Sequence, residues 1–184
     1  SYALARSFEE VVGIDFSHSF VAAANELKVK GSLPYEALRQ GCSITSQLAQ
    51  VPGDVDRSRV IFQQGDACAL DRNLLGRFDL VVACNLLCRL PEPSRFLLDI
   101  PHFLRERGVL LLVSPYSWLE EYTERSRWLG GIESEDSSSA VQRILQSHEV
   151  PLTLRSRQDL PFLIREHERK FQFGVSEATV WQRS

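Results

Sequence analysis

Glu10-Val11-Val12-Gly13-Ile14-Asp15-Phe16-Ser17 is a β-branched run that ends on an acid and passes at once to a hydroxyl residue able to cap a helix. The spacing predicts a strand over residues 10–15, a helix over His18–Lys30, and a stop at Gly31. Upstream, Tyr2, Leu4, Ala5 and Phe8 recur at roughly helical spacing and read as the end of an amphipathic helix. Downstream, residues 32–48 alternate around Gln40-Gly41, which fits a β-hairpin or a surface loop, and residues 51–58 form a connector.

The same rhythm continues. Residues 59–64 read as a strand with Gly65-Asp66-Ala67 as its exit, and residues 78–84 as a nearly all-apolar strand suited to a sheet covered on both faces. Residues 93–107 carry Phe96, Leu97, Ile100, Phe103 and Leu104 on one helical stripe closed by Gly108. Pro101 falls inside that stripe, and an interior proline costs about 3 kcal/mol, so a kink or two short helices joined near Asp99 is expected. Val109 to Val113 is a third apolar strand, followed by an aromatic, charged segment over residues 114–131 and an acidic, serine-rich loop over 133–139. A helix over residues 140–147 and strands over 152–157 and 178–183 complete the reading. Alternating strands and helices imply a doubly wound, mainly parallel α/β sheet, with an antiparallel pair at its C-terminal edge because the last two strands leave little room for a crossover helix.

Composition narrows the function. The 184 residues are 43% apolar and 24% charged, as in one ordinary globular domain. Their net charge of -3 offers no general attraction to nucleic acid or anionic lipid. No apolar stretch approaches the roughly 20 residues of a membrane span, so a cytoplasmic location is expected. Cys42, Cys68, Cys84 and Cys88 lack CxxC spacing and read as reduced thiols. His18, His102, His148 and His167 are scattered without HxH or HExxH, so the sequence offers no metal site.

In a doubly wound sheet, ligands sit beyond the carboxyl ends of the strands. Asp15 closes the first strand, where a carboxylate can accept hydrogen bonds from both ribose hydroxyls of a nucleotide cofactor; a simple helix cap is the alternative. Asp66 and Ala67 follow the next strand, where an acid can take the exocyclic amine of adenine beside a small neighbour. Asn85-Leu86-Leu87 follows residues 78–84, with a turn-forming role as the alternative for Asn85.

Together, Val12 to Ser17, Gly65-Asp66-Ala67, Phe78-Asp79-Leu80-Val81-Val82 and Asn85-Leu86-Leu87 resemble, in order and spacing, the class I S-adenosylmethionine-dependent methyltransferases. The resemblance implies a Rossmann-like sheet, S-adenosylmethionine as cofactor, and ribose binding by Asp15. It also implies that Asp66 and Ala67 flank adenine and that Asn85 lines the methionine side. Phe16, Ser17, Cys68, Leu86 and Leu87 complete the implied cofactor set. That family's first strand and glycine-rich loop are expected ahead of Ser1, and with no methionine in the sequence the chain is read as one N-terminally incomplete domain over residues 1–184.

A narrower resemblance lies in Ser114-Pro115-Tyr116-Ser117-Trp118-Leu119-Glu120-Glu121-Tyr122-Thr123, in Trp128-Leu129-Gly130-Gly131, and in Asp159-Leu160-Pro161-Phe162-Leu163-Ile164-Arg165-Glu166-His167. These look like the 4-mercaptohistidine N1-methyltransferase domain of ovothiol biosynthesis. The resemblance implies methyl transfer to a ring nitrogen of 5-thiohistidine, in the C-terminal domain of an enzyme whose upstream partner is a fused 5-histidylcysteine sulfoxide synthase.

Methyl transfer to a neutral nitrogen needs orientation and exclusion of water more than a general base. Glu120 or Glu121 could set the ring tautomer by holding its other N–H, against the alternative of a solvated helix start. Tyr116 and Trp118 could wall the imidazole, against plain edge packing, and Arg89 or Arg127 could pair with the amino acid carboxylate. Three rivals stand beside this reading. A dehydrogenase also uses an acid after the second strand, but no tyrosine here is followed four residues later by lysine. A non-catalytic methyltransferase-like module would bind cofactor without turnover, and a methyltransferase for another small acceptor would share the fold.

Overall fold

The computed structural model describes residues 1–132 and 135–184. The chain divides into two compact units, one of Ser1–Ala67 with Ile164–Gln172 and the other of Cys68–Leu163 with Phe173–Ser184.

The first unit is built on β1 (Val11–Asp15), α1 (His18–Lys30), the hairpin β2 (Ser32–Gln40) and β3 (Ser43–Gln50), and β4 (Val60–Gln64). β1 and β4 pair in parallel with Val11 opposite Val60 and Asp15 opposite Gln64, so both strands leave the sheet at the same end. Ser17 caps α1 by accepting from the Phe20 N–H, and Gly31 closes it at φ 76°, where an L side chain would be strained. Arg57 donates from Nη1 to the carbonyls of Lys28 (2.6 Å) and Val29 (3.0 Å), placing a cation on the last turn of the helix. Ala5, Val11, Val55 and Val60 form the unit's core, with Tyr2, Phe8 and Phe62 packed against it. The β2–β3 hairpin turns at Gly41, close to the expected centre. The opening helix expected over residues 1–9 is a single 3-10 turn, Leu4–Arg6, which ends where Ser7 and Phe8 both return to the Leu4 carbonyl.

The second unit contains α2 (Arg72–Leu75), β5 (Phe78–Cys84), α3 (Pro93–Asp99), β6 (Leu104–Ser114) and α4 (Ser137–Gln146). It also holds most of β7 (Leu152–His167) and β8 (Lys170–Arg183), in a sheet of order β5-β6-β8-β7. β5 and β6 are parallel, whereas β6 and β8 are antiparallel. β7 and β8 are neighbours joined by only two residues, a link too short for a parallel crossover, so the C-terminal edge pair is antiparallel. Leu104, Leu110, Leu112, Leu145, Leu152 and Trp181 are all fully buried, which places the core between the sheet and α4.

Several boundaries differ from the sequence reading. The expected helix over residues 93–107 ends at Asp99, and a 3-10 turn over Ile100–Phe103 carries Pro101 near its start, where a missing N–H does no harm. β6 therefore begins at Leu104, not Val109. Its register with β5 jumps from Phe78 opposite Leu104 to Leu80 opposite Val109, so Gly108 belongs to a bulge and is no helix stop. A Cβ there would lie 2.8 Å from the Arg105 carbonyl oxygen, and Arg107 beside it has φ 61°. Residues 133 and 134 of the expected serine-rich loop lie outside the described residues, and residues 137–139 of it are helical. Asp136 accepts from the N–H and hydroxyl of Ser139 and so starts α4 at Ser137, three residues earlier than expected. The two last strands are longer than expected: the added length of β7 carries Leu160, Phe162 and Ile164 at alternate positions and that of β8 carries Phe171, Phe173 and Val175, an alternation that marks strand. Among the described residues no helix is long and apolar enough to cross a membrane.

Candidate functional site

In the first unit, the parallel pairing of β1 and β4 brings the two predicted acid-bearing exits side by side. The Gly65 N–H donates to the Asp15 carbonyl at 3.0 Å, which ties the start of Gly65-Asp66-Ala67 to the end of β1. A Cβ on Gly65 would fall 2.8 Å from Ile14 Cγ2, so the close approach of the two exits requires glycine. Asp15 is exposed, and its Oδ1 accepts from the Ser17 N–H at 2.8 Å. Its Oδ2 makes no hydrogen bond among the described residues, so the turn role and a ligand role are compatible on one carboxylate. Gln64 Nε2 donates to the Phe16 carbonyl at 3.3 Å, fixing the turn from the β4 side, while the Phe16 ring is 73% exposed. Ser17 is held by its helix-capping bond.

In the second unit, Asn85 leaves β5 at φ 53°, a left-handed conformation that asparagine tolerates better than most side chains. Its N–H donates to the Val113 carbonyl at 2.7 Å, and its Oδ1 accepts from the Ser176 hydroxyl at 2.9 Å. The turn-forming alternative weighed for Asn85 is realised here, and the residue stands exposed at the strand's carboxyl end. Leu86 is half-buried. Two members of the implied cofactor set are core residues instead: Leu87 is fully buried, and the buried Cys68 directs its thiol to the Glu92 carbonyl. Both side chains are packed into the protein interior, which was the stronger demand on them. Burial raises the thiol pKa of Cys84 at the end of β5, which favours its neutral form.

Beyond β6 the chain is organised by Tyr116, which has φ 48° and donates its hydroxyl to Glu177 Oε1 at 3.0 Å. Ser138 donates to both oxygens of the same carboxylate (2.7 and 2.9 Å), and Arg157 pairs with it at 3.4 Å. Burial first, then the Glu177 charge and hydrogen bond, push the Tyr116 phenol well above its ordinary pKa. Trp118 is 9% exposed, donates from Nε1 to Ser137 at 2.9 Å, and stacks on Trp128. It holds the segment to α4, which corrects its expected place on an acceptor wall. Arg89 donates to the Ser117 carbonyl at 2.7 Å and lies over the Tyr122 ring, and Arg127 pairs with Glu92 and Glu124. Both guanidinium groups are therefore already committed to the protein. Glu120 and Glu121 are exposed. Glu177, Ser138 and Ser176 had no signal in the sequence, because their partners lie 39 to 91 residues away.

A profile of the methyltransferase domain matches residues 1–112, and so covers both acid-bearing exits and the Asn85 turn. The chain belongs to the methyltransferase-domain family. Solved structures share its fold. An S-adenosylmethionine-dependent methyltransferase of Methanosarcina mazei is 16% identical with a TM-score of 0.58, over 98% of this chain and 84% of that one. The YcgJ protein of Bacillus subtilis is 14% identical with a TM-score of 0.58, over 99% and 85%. A protein studied for conversion of a disulfide bond into a thioacetal group during echinomycin biosynthesis is 13% identical with a TM-score of 0.59, over 99% and 70%. At such identities the likeness is one of fold, and it agrees with the Rossmann-like α/β class that the strand order of this methyltransferase domain implies. No curated protein matches the chain in sequence.

Proposed function

We propose that this methyltransferase domain transfers a methyl group to an imidazole ring nitrogen of 5-thiohistidine, the last step of ovothiol biosynthesis. The donor is S-adenosylmethionine, as in the Methanosarcina mazei protein of the same fold. The observation that carries the cofactor half is the tie between the Gly65 N–H and the Asp15 carbonyl, which sets two acid-bearing turns together at one end of a parallel strand pair. An exposed carboxylate with one uncommitted oxygen fits a ribose diol, and the small Ala67 beside Asp66 fits a flat base. The family resemblance of residues 85–87 supports a role for Asn85 on the methionine side.

Bound S-adenosylmethionine supplies an electrophilic sulfonium methyl group. The ring nitrogen brings its own lone pair: the N–C bond forms as the C–S bond breaks, sulfur keeps the electron pair, and the other ring N–H proton is then released. The residues of this chain have to orient and to keep water out. Tyr116, fixed by Glu177 and kept protonated, presents a rigid ring and a neutral hydroxyl at the carboxyl end of β6. Glu120 and Glu121 are the candidate holders of the second ring N–H, being exposed four and five residues further along the same segment. The resemblance of residues 114–123 and 159–167 supports the thiohistidine acceptor and a fused sulfoxide synthase domain upstream. The test supplies the protein with S-adenosylmethionine and, separately, 5-thiohistidine, histidine or ergothioneine, and reads products by mass spectrometry. Methylation of another acceptor in place of 5-thiohistidine would keep the domain a methyltransferase and remove the ovothiol assignment.

A further inference from the structure

His102 sits in the 3-10 turn before β6, and His148 and Glu149 in the link between α4 and β7. These positions precede the strands, whereas Asn85 and Tyr116 follow them. The 11 residues of β6 span roughly 30 Å, so the cluster lies at the opposite end of the strand from the methyl-transfer residues. One ligand atom from each of the three side chains lies within 4.8 Å of the others. His102 Nε2 is 3.2 Å from Glu149 Oε1, and the two imidazoles meet edge to face at 5.1 Å.

We propose that His102, His148 and Glu149 form a binding site for a divalent cation of the zinc class. Two imidazoles and one carboxylate are a zinc donor set that leaves a coordination position open. Zinc–nitrogen bonds of about 2 Å put tetrahedral ligands roughly 3.4 Å apart, so closure needs on the order of 1 Å of side-chain movement. Glu149, with 76% of its side chain exposed, is free to make it. The Val150 N–H donates to His148 Nδ1 at 2.9 Å and the Val150 carbonyl lies 3.2 Å from the same nitrogen, so ligation through Nε2 takes the tautomer in which Nδ1 donates to that carbonyl. Arg72 is paired with Asp99 at 2.8 Å, which offsets its repulsion of a cation. A cleft of about 250 Å³ lined by Arg72, Gly76, Arg77 and His102 opens beside His102.

The test titrates the metal-stripped full chain with zinc chloride against a chromophoric chelator, and repeats it with cobalt(II) as a spectroscopic probe. The expected result is one equivalent of zinc, visible cobalt bands of a four-coordinate site, and affinity lowered at least ~10-fold in His148→Ala and in Glu149→Ala. Because Glu149 is exposed, its substitution leaves the core intact, and circular dichroism checks this. Failure to bind one equivalent, or binding that both substitutions leave unchanged, overturns the site.

Discussion

Tyr116 and Glu177, 61 positions apart in the sequence, are joined by a 3.0 Å hydrogen bond from the phenol to the carboxylate. Ser114 lies opposite Glu177 in the β6–β8 pairing, so the bond fastens the chain just after β6 to the strand beside it. The left-handed φ of Tyr116 is held by that bond together with the Tyr116 N–H to Ser114 Oγ, at 3.1 Å. If this ring faces the acceptor, Tyr116→Ala should raise the acceptor KM or lower turnover by on the order of 10-fold, while S-adenosylmethionine affinity changes little. Steady-state kinetics combined with calorimetric cofactor titration checks this. The reverse pattern would place Tyr116 at the cofactor.

The same pair predicts an alkaline limit to stability. The folded-state pKa of Tyr116 is raised above its ordinary value of about 10, so the unfolded chain releases this proton first as pH rises. Its contribution is complete below pH 10 and is lost as pH climbs from there towards the folded value. Chemical denaturation between pH 8 and pH 11 should show stability falling above about pH 10, with a shallower fall in Tyr116→Phe.

Asp15→Ala should weaken S-adenosylmethionine binding by roughly 10- to 100-fold, the span expected for hydrogen bonds to a charged group. The fold should persist, since the carboxylate is exposed and its hydrogen bond is the local 2.8 Å contact from the Ser17 N–H. Equal calorimetric affinity in the variant and the parent would remove the ribose role.

At Asn85 the backbone and the side chain can be separated. Asn85→Ala should cost about 1–2 kcal/mol, because a Cβ without a compensating amide is strained at φ 53°, and the Ser176 hydroxyl loses its acceptor. Asn85→Gly relieves the backbone and should cost less. Urea denaturation of the two variants measures the difference, and equal losses would show that the Ser176 bond dominates.

Strong local signals made much of the fold legible. β5 has the span read from Phe78 to Cys84, and α1 has both its Ser17 cap and its Gly31 stop where the residues placed them. The reading failed where a tertiary demand outweighed a local pattern. Phe103 and Leu104 fit a helical stripe, yet Leu104 pairs with Phe78 and opens β6. The positions of the acids at the strand exits could be read from the sequence because the topology assigns meaning to such positions. The Tyr116–Glu177 bond and the His102–His148–Glu149 cluster could not, since no spacing rule links residues that only the folded sheet brings together. Trp118 and Leu87 looked like ligand contacts by position and proved to be packing residues by burial.

The most direct measurement of the central claim follows the methyl group itself. The protein is incubated with methyl-labelled S-adenosylmethionine and 5-thiohistidine, and the products are resolved by mass spectrometry. The account predicts label on an imidazole nitrogen of 5-thiohistidine together with an equal amount of S-adenosylhomocysteine. S-adenosylmethionine left unbound and unconsumed, with 5-thiohistidine recovered unchanged, would contradict it.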